Sequence, residues 1–263
     1  MAGGAHEETA AAIADATGSS SGAAPKGEST ARHQQSALDG YVKIFRHKRI
    51  LMWLIGTAGA WLLLDFCYYG NTISQPEILK LLDPHASLLH NTLVQLAIVS
   101  VFAVPGYIVA VLLMDRTGRK SIQMLGFSVM ALMFLIIGLW TAVTNHVWWF
   151  LLLYGISYFF TEFGPNMTTF IYPAELFPTD VRTTSHGISA GAGKLGAFAG
   201  AFLFPDFLAA THGLNRAMTI AGVVAVLGLL LTLFLLPETR GRASSSWRRR
   251  RTRRRPRRPA SGC

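Results

Sequence analysis

Long apolar stretches, broken by short polar segments, dominate the middle of the chain. The pattern predicts six helices long enough to cross a bilayer, over about 51–70, 90–114, 121–141, 147–170, 184–208 and 217–236. The fifth is the weakest, because Lys194 and many glycines interrupt its apolar run. A re-entrant or broken helix is the alternative there. Pro105-Gly106 inside the second stretch predicts a kink. Residues 41–50 form a short amphipathic lead-in. Residues 1–40 are mostly Ala, Gly, Ser and Thr with scattered charges, too apolar-poor for a core, and are expected to be a disordered tail or linker. Residues 243–263 turn to Arg, Pro and Ser and are expected to be an Arg-rich disordered tail. The fold class read from this pattern is an all-α membrane protein with six transmembrane helices in one domain, 41–242.

The polar positions inside the apolar stretches carry the chemistry. The first stretch holds one carboxylate, Asp65. A helix advances about 100° per residue, so Trp61, Asp65 and Tyr69 fall in one stripe roughly 80° wide. A lone acid in a membrane helix is costly and faces a cavity or the bundle interior. Trp61 alone also fits ordinary packing.

Composition narrows the classes. With 51% hydrophobic and 14% charged residues the chain does not suit an ordinary soluble domain. The formal net charge of +10 is concentrated at the end, since eleven of the 24 Lys and Arg lie from Arg240 onward. Such a tail would bind anionic lipid, or nucleic acid without sequence preference, but no folded nucleic-acid module accompanies it. Lys43, Arg46, Lys48 and Arg49 precede the first span. Arg116, Arg119, Lys120 and Arg182 lie in alternate loops, while the opposite loops hold only Lys80 and Arg216. By the positive-inside rule both termini are expected to be cytoplasmic. Trp140, Trp148 and Trp149 suit an interfacial belt at the other surface. Cys67 and Cys263 give no disulfide framework. The absence of a clustered His/Cys set predicts no metal and no cofactor, and no nucleophile–base pair suggests an enzyme.

Three short polar segments pair acid with base. The first is Asp115-Arg116-Thr117-Gly118-Arg119-Lys120, where Gly118 permits a tight turn. The second runs from Pro173 to Arg182. Its prolines, Pro173 and Pro178, are expected to stop the fourth helix, and Glu175 and Arg182 to form interhelical ion pairs. The third is Pro237-Glu238-Thr239-Arg240-Gly241-Arg242. These groups read either as latches that hold one face shut or as static salt bridges and topology markers.

Asp115-Arg116-x-Gly118-Arg119-Lys120 resembles the conserved cytoplasmic loop of the major facilitator superfamily, and Pro237-Glu238-Thr239-Arg240-Gly241 the end of the last helix in its sugar-porter-like branches. Three further blocks resemble the phosphate:proton symporter family. They are Gly56 to Trp61 running on to Asp65 and Tyr69-Gly70, then Phe163-Gly164-Pro165-Asn166-Met167-Thr168-Thr169-Phe170, and Pro173 to Pro178 with Ser185-His186-Gly187 and Gly193-Lys194. The resemblance covers about 40–242 and implies one six-helix half, the second, of a major facilitator fold, with residues 1–40 corresponding to the central loop. It implies a multi-pass protein of the plasma membrane that moves inorganic phosphate and protons, and a missing N-terminal half or a second copy as partner.

The same resemblance places Trp61, Asp65, Tyr69 and Asn166 at a central phosphate site. The family pattern has Asn just before Phe-Gly-Pro-Asn, whereas this chain has Glu162. An ionised Glu162 would repel an anion; a protonated one would serve as a proton carrier. Chemically, a tetrahedral oxyanion needs donors such as Trp N–H, Tyr O–H, Asn NH2 and an ammonium. Protonating Asp65 removes its repulsion and couples proton to anion. Lys194 either balances a carboxylate and assists the anion or snorkels to the headgroups. His186 fits an interfacial or capping role. A sugar or other organic-solute porter of the same fold, and a non-transporting membrane subunit or scaffold, are the alternatives.

Overall fold

The computed structural model describes Val42 and residues 44–210 and 213–240. All but Val42 belong to one unit, Lys43–Cys263. The disorder expected for 1–40 and 243–263 concerns stretches that lie outside the described residues. Among the described residues the helices of eight residues or more are α1 (Lys48–Ile73), α2 (Gln75–Leu82), α3 (Leu88–Thr117), α4 (Arg119–Leu139), α5 (147–176), α6 (Arg182–Ala209) and α7 (Gly213–Leu235).

Five of these, α1, α3, α4, α6 and α7, are long and apolar enough to cross a membrane. The chain is a multi-pass integral membrane protein built from α-helices. The five long apolar helices match five of the six expected spans. The fourth predicted span falls in α5, whose apolar run is diluted by Tyr154, Tyr158, Glu162 and Asn166. The fifth predicted span is not broken, since α6 is continuous over 28 residues with Pro205 inside it.

Prolines reshape two helices. A π-helical turn at Val99–Ala103 precedes Pro105 in α3. A second, Glu162–Asn166, contains Pro165 in α5. Proline lacks an N–H and its ring crowds the carbonyl four residues back, so a wider turn accommodates it. The expected stop at Pro173 does not occur, because that residue lies inside the helical segment Met167–Leu176. The chain leaves the helix at Phe177 (φ −83, ψ 143), where the following Pro178 disfavours helical backbone.

Glycines set the helix register. Along α6, Gly193 faces the Trp61 ring, Gly196 the Leu62 carbonyl and Gly200 the Phe66 carbonyl, while Gly70 of α1 faces Phe204. The numbers rise together, so α1 and α6 are parallel. Thr57 Oγ1 and Ser189 Oγ join the same seam at 2.9 Å. Antiparallel α4 and α7 meet with Gly138 on Thr219, Gly222 on Leu135 and Gly228 on Phe127. Gln123 Nε2 donates to Thr232 Oγ1 across that contact at 2.8 Å. In α5, Gly164 closes on Gly126 of α4, and Gly155 on Phe102 of α3. Close backbone approach of this kind substitutes van der Waals contact for the hydrophobic drive that lipid does not supply.

A methyl group at Gly196 would strike the Leu62 carbonyl, whereas one at Gly191 would meet nothing within 4 Å. Gly196→Ala is expected to cost about 1–3 kcal/mol, read as a lower thermal unfolding midpoint in detergent. Gly191→Ala should leave the midpoint unchanged or raise it.

Candidate functional site

The stripe predicted on α1 forms and is held from α6. Trp61 is buried, edge-on to Phe170 at 4.5 Å and to His186 at 5.8 Å between ring centres. Its indole fits because Gly193 has no side chain. One turn on, Asp65 is buried, and Lys194 Nζ stands 3.8 Å from its Oδ2. The pair is asymmetric, with side chains 66% exposed for Lys194 and 6% for Asp65. Among the described residues Asp65 Oδ2 receives no hydrogen bond. The same ammonium lies 5.2 Å from the centre of the Tyr69 ring, a cation–π distance. Lys194 therefore faces the acid and the phenol of the stripe. The arrangement supplies an acid, an ammonium, an indole N–H and a phenol, the donor and acceptor types that an oxyanion and a proton require.

Glu162 and Asn166 meet α1 one residue off the stripe. Glu162 is buried, in the π turn of α5, and accepts a 2.5 Å hydrogen bond from Asn166 Nδ2. The Tyr68 hydroxyl of α1 stands beside the Glu162 carboxylate. Asn166 thus turns its side-chain amide to Glu162 rather than to Asp65 or Tyr69. Tyr68, Tyr158, Tyr154, Asn71 and Thr72 form a polar cluster beyond Glu162 that the sequence reading missed. A signal was present, because Tyr154, Tyr158, Glu162 and Asn166 follow one another at four-residue spacing.

At one end of the bundle the three charged segments converge. Arg119 Nη2 pairs with Asp115 Oδ1 at 2.9 Å and with Glu175 Oε1 at 2.8 Å. Glu175 Oε2 accepts from Thr239 Oγ1 at 3.0 Å. Glu238 takes the backbone N–H groups of Arg119 (3.0 Å), Lys120 (3.2 Å), Thr239 (2.8 Å) and Arg240 (3.0 Å). A helix start leaves its first N–H groups without partners and favours negative charge. Gly118 stands at the cap position of α4 with no side chain to offer, so Glu238 caps α4 from far along the chain. Gly118 has φ 95, and an added Cβ would stand 2.6 Å from Glu238 Oε2.

The interhelical ion pair expected of Glu175 forms, with Arg119 as its partner, while Arg182 Nε donates to the Phe177 carbonyl at 3.1 Å. Helix α5 extends beyond Pro173, which carries Glu175 towards Arg119, and Arg182 instead holds the carbonyl left at the end of that helix. Arg116 is exposed, and Arg240 joins through its backbone alone among the bonds described. At the opposite end, Trp140, Trp148 and Trp149 are exposed around the turn between α4 and α5.

Comparison with known proteins supplies the family. The profile described as "Sugar (and other) transporter" matches residues 6–247. Inorganic phosphate transporter 1-6 of Oryza sativa subsp. japonica is 41% identical over 216 residues, covering 72% of this chain and 40% of its own. Inorganic phosphate transporter 1-11 of the same species is 38% identical over 206 residues, covering 72% of this chain and 36% of its own. The chain thus spans well under half the length of the curated relatives it matches. A crystal structure of a double-tryptophan mutant of XylE superposes with a TM-score of 0.60 at 24% identity, over 80% of this chain and 46% of that one. This likeness concerns the fold. With a profile match across most of its length, the chain belongs to the sugar (and other) transporter family, with a major facilitator, sugar-porter-like fold and homology to the phosphate:proton symporters.

Proposed function

We propose that the chain contributes one half of a proton-coupled inorganic phosphate transporter. The observation that carries this reading is the buried Asp65 with the Lys194 ammonium at 3.8 Å, beside Trp61 and Tyr69. Relatives named as inorganic phosphate transporters support the choice of substrate. In this reading Asp65 carries the proton, and Lys194, Tyr69, Trp61 and Asn166 donate to phosphate. While Asp65 is ionised it holds the ammonium. A proton on Asp65 frees Lys194 to turn to the anion, so proton and phosphate arrive together. Helix α5 completes six spans, packed parallel to α3 and antiparallel to α4. The basic segments lie at the cytoplasmic face of the plasma membrane, with both termini on that side. A second six-helix body, from a longer chain, a partner or a second copy, covers the exposed face on which Lys194 and Gly191 lie. The Arg-rich tail meets anionic lipid.

The Asp115–Arg119–Glu175 cluster and the Glu238 cap form the cytoplasmic latch. Charge-assisted bonds to helix ends are strong enough to hold a closed face and exchangeable enough to open it.

A second reading, transport of a sugar or another neutral solute, is favoured by Glu162. An acid inside the bundle suits a neutral hydroxyl ligand better than an anion.

Uptake of radiolabelled phosphate by cells producing the protein tests both readings. Asp65→Asn should abolish the part of uptake driven by a pH gradient, a loss of about a hundredfold. Phosphate-insensitive uptake of a labelled sugar would instead support the second reading. Glu162→Asn should lower KM for phosphate if Glu162 is charged during binding, and change a sugar porter's KM in the opposite direction. At the latch, Gly118→Ala should cost about 1–2 kcal/mol from backbone strain alone and Glu238→Gln about 1 kcal/mol from the weakened cap. Thermal unfolding in detergent reads both.

A further inference from the structure

Buried polar atoms continue from Glu162 towards the end of the bundle that carries the exposed tryptophans. Tyr68 stands beside Glu162. Tyr158, one turn from Glu162 on α5, has its hydroxyl 3.0 Å from Thr72 Oγ1 and 3.4 Å from the Tyr154 hydroxyl. The Tyr154 hydroxyl donates to the Asn71 carbonyl at 3.4 Å. Between these groups lies a small cavity whose polar lining is Cys67, Tyr68, Asn71, Tyr158 and Thr161. It leaves about 10 Å³ for the centre of a water molecule, the size of a one-water site. Asn71 is 1% exposed, and its Oδ1 has no hydrogen-bond partner among the described residues. Its Nδ2 is already committed to the Cys67 carbonyl at 2.9 Å. Three and four residues further on, Ser74 Oγ and Gln75 Nε2 are likewise buried without partners among the described residues.

We propose that the cavity holds one water and that this water, with Tyr158 and Tyr68, forms a relay passing protons between the Asn71–Gln75 end of α1 and the Glu162 carboxylate. The inference rests on the assignment of Glu162 to proton coupling. Donor directions are consistent along the line. The water donates to Asn71 Oδ1 and to the Tyr68 oxygen and accepts from the Tyr158 hydroxyl, while Tyr68 donates to Glu162. When Glu162 takes the Tyr68 proton, Tyr68 takes one from the water, the water one from Tyr158, Tyr158 one from the Thr72 hydroxyl, and half-buried Thr72 one from a hydronium ion at that end of the bundle. One O–H bond breaks and one forms at each relay oxygen, so the net change is a single proton moved from that hydronium to Glu162. Rotation of the hydroxyls resets the line. The titratable groups that face Glu162 are Tyr68 from α1 and Tyr158 on its own helix. Helix α4 meets the π turn with Gly126 against Gly164 and Pro165, and α3 meets the preceding turn with Gly106 against Phe159, contacts that bring no charge. Phe150 stacks on Tyr154 at 5.1 Å and covers the far end of the tyrosine row.

Time-resolved infrared spectroscopy of the full chain in lipid nanodiscs after a rapid pH jump tests the relay. The carboxyl band lost in Glu162→Gln identifies the group. Tyr158→Phe keeps the ring packing and removes one oxygen, and Tyr68→Phe does the same at the other side of the water. Each is expected to slow protonation of Glu162 by about tenfold or more while the final band amplitude at each pH stays close to that of the unaltered protein. Unchanged rates in both variants, or a Glu162 band that does not respond to pH, would overturn the relay. Phosphate binding by the same samples is a separate readout. Its absence counts against phosphate as substrate, while a slowed Glu162 band would stand without it.

Discussion

An ionised carboxylate withdrawn from water needs a counter-charge or a proton, and Asp65 is offered little of either by its neighbours. It is buried on α1 and faces a single ammonium, Lys194, whose own side chain is mostly exposed. A counter-ion at 3.8 Å that remains open to its surroundings can be recruited by another anion. The transport reading depends on that imbalance. A fully enclosed, multiply hydrogen-bonded Asp65 would be a structural ion pair, with nothing left to exchange.

The geometry that creates the imbalance is set by glycine. Lys194 reaches the stripe because α6 runs parallel to α1 in one register, with Gly193, Gly196 and Gly200 against Trp61, Leu62 and Phe66. Side chains at these positions would push α6 away, and the ammonium would lose both Asp65 and the Tyr69 ring. The charged end of the bundle obeys a related constraint. Gly118 turns the chain so tightly that α4 begins without a cap of its own, and Glu238 supplies it from the end of α7. Two helices distant in sequence are thereby tied to the same few backbone N–H groups.

Much of this was legible in the sequence because periodicity acts within one helix. Trp61, Asp65 and Tyr69 share a stripe by spacing alone, and the apolar runs mark α1, α3, α4, α6 and α7. Contacts between helices were harder to read. Spacing marked Glu175 for an interhelical ion pair but did not name its partner; the helix runs on through Pro173 and brings Glu175 to Arg119. Local composition could not anticipate that the π turn absorbs Pro165, nor that it sets Glu162 against Tyr68 rather than Asp65. Spacing named no partners for the tyrosines of α5, because the unpaired Asn71 oxygen and the cavity beside Tyr158 arise only where α1 meets α5. The same polar residues that make α5 chemically interesting dilute the apolar run that marked it as the fourth span.

The central claim is that Asp65 exchanges its Lys194 partner for a proton when phosphate binds. Calorimetry of phosphate binding to the native protein, repeated in buffers of different ionisation heat, counts the protons taken up per phosphate. The account predicts proton uptake with binding that disappears in Asp65→Asn. The same proton count in the unaltered protein and in Asp65→Asn would contradict it.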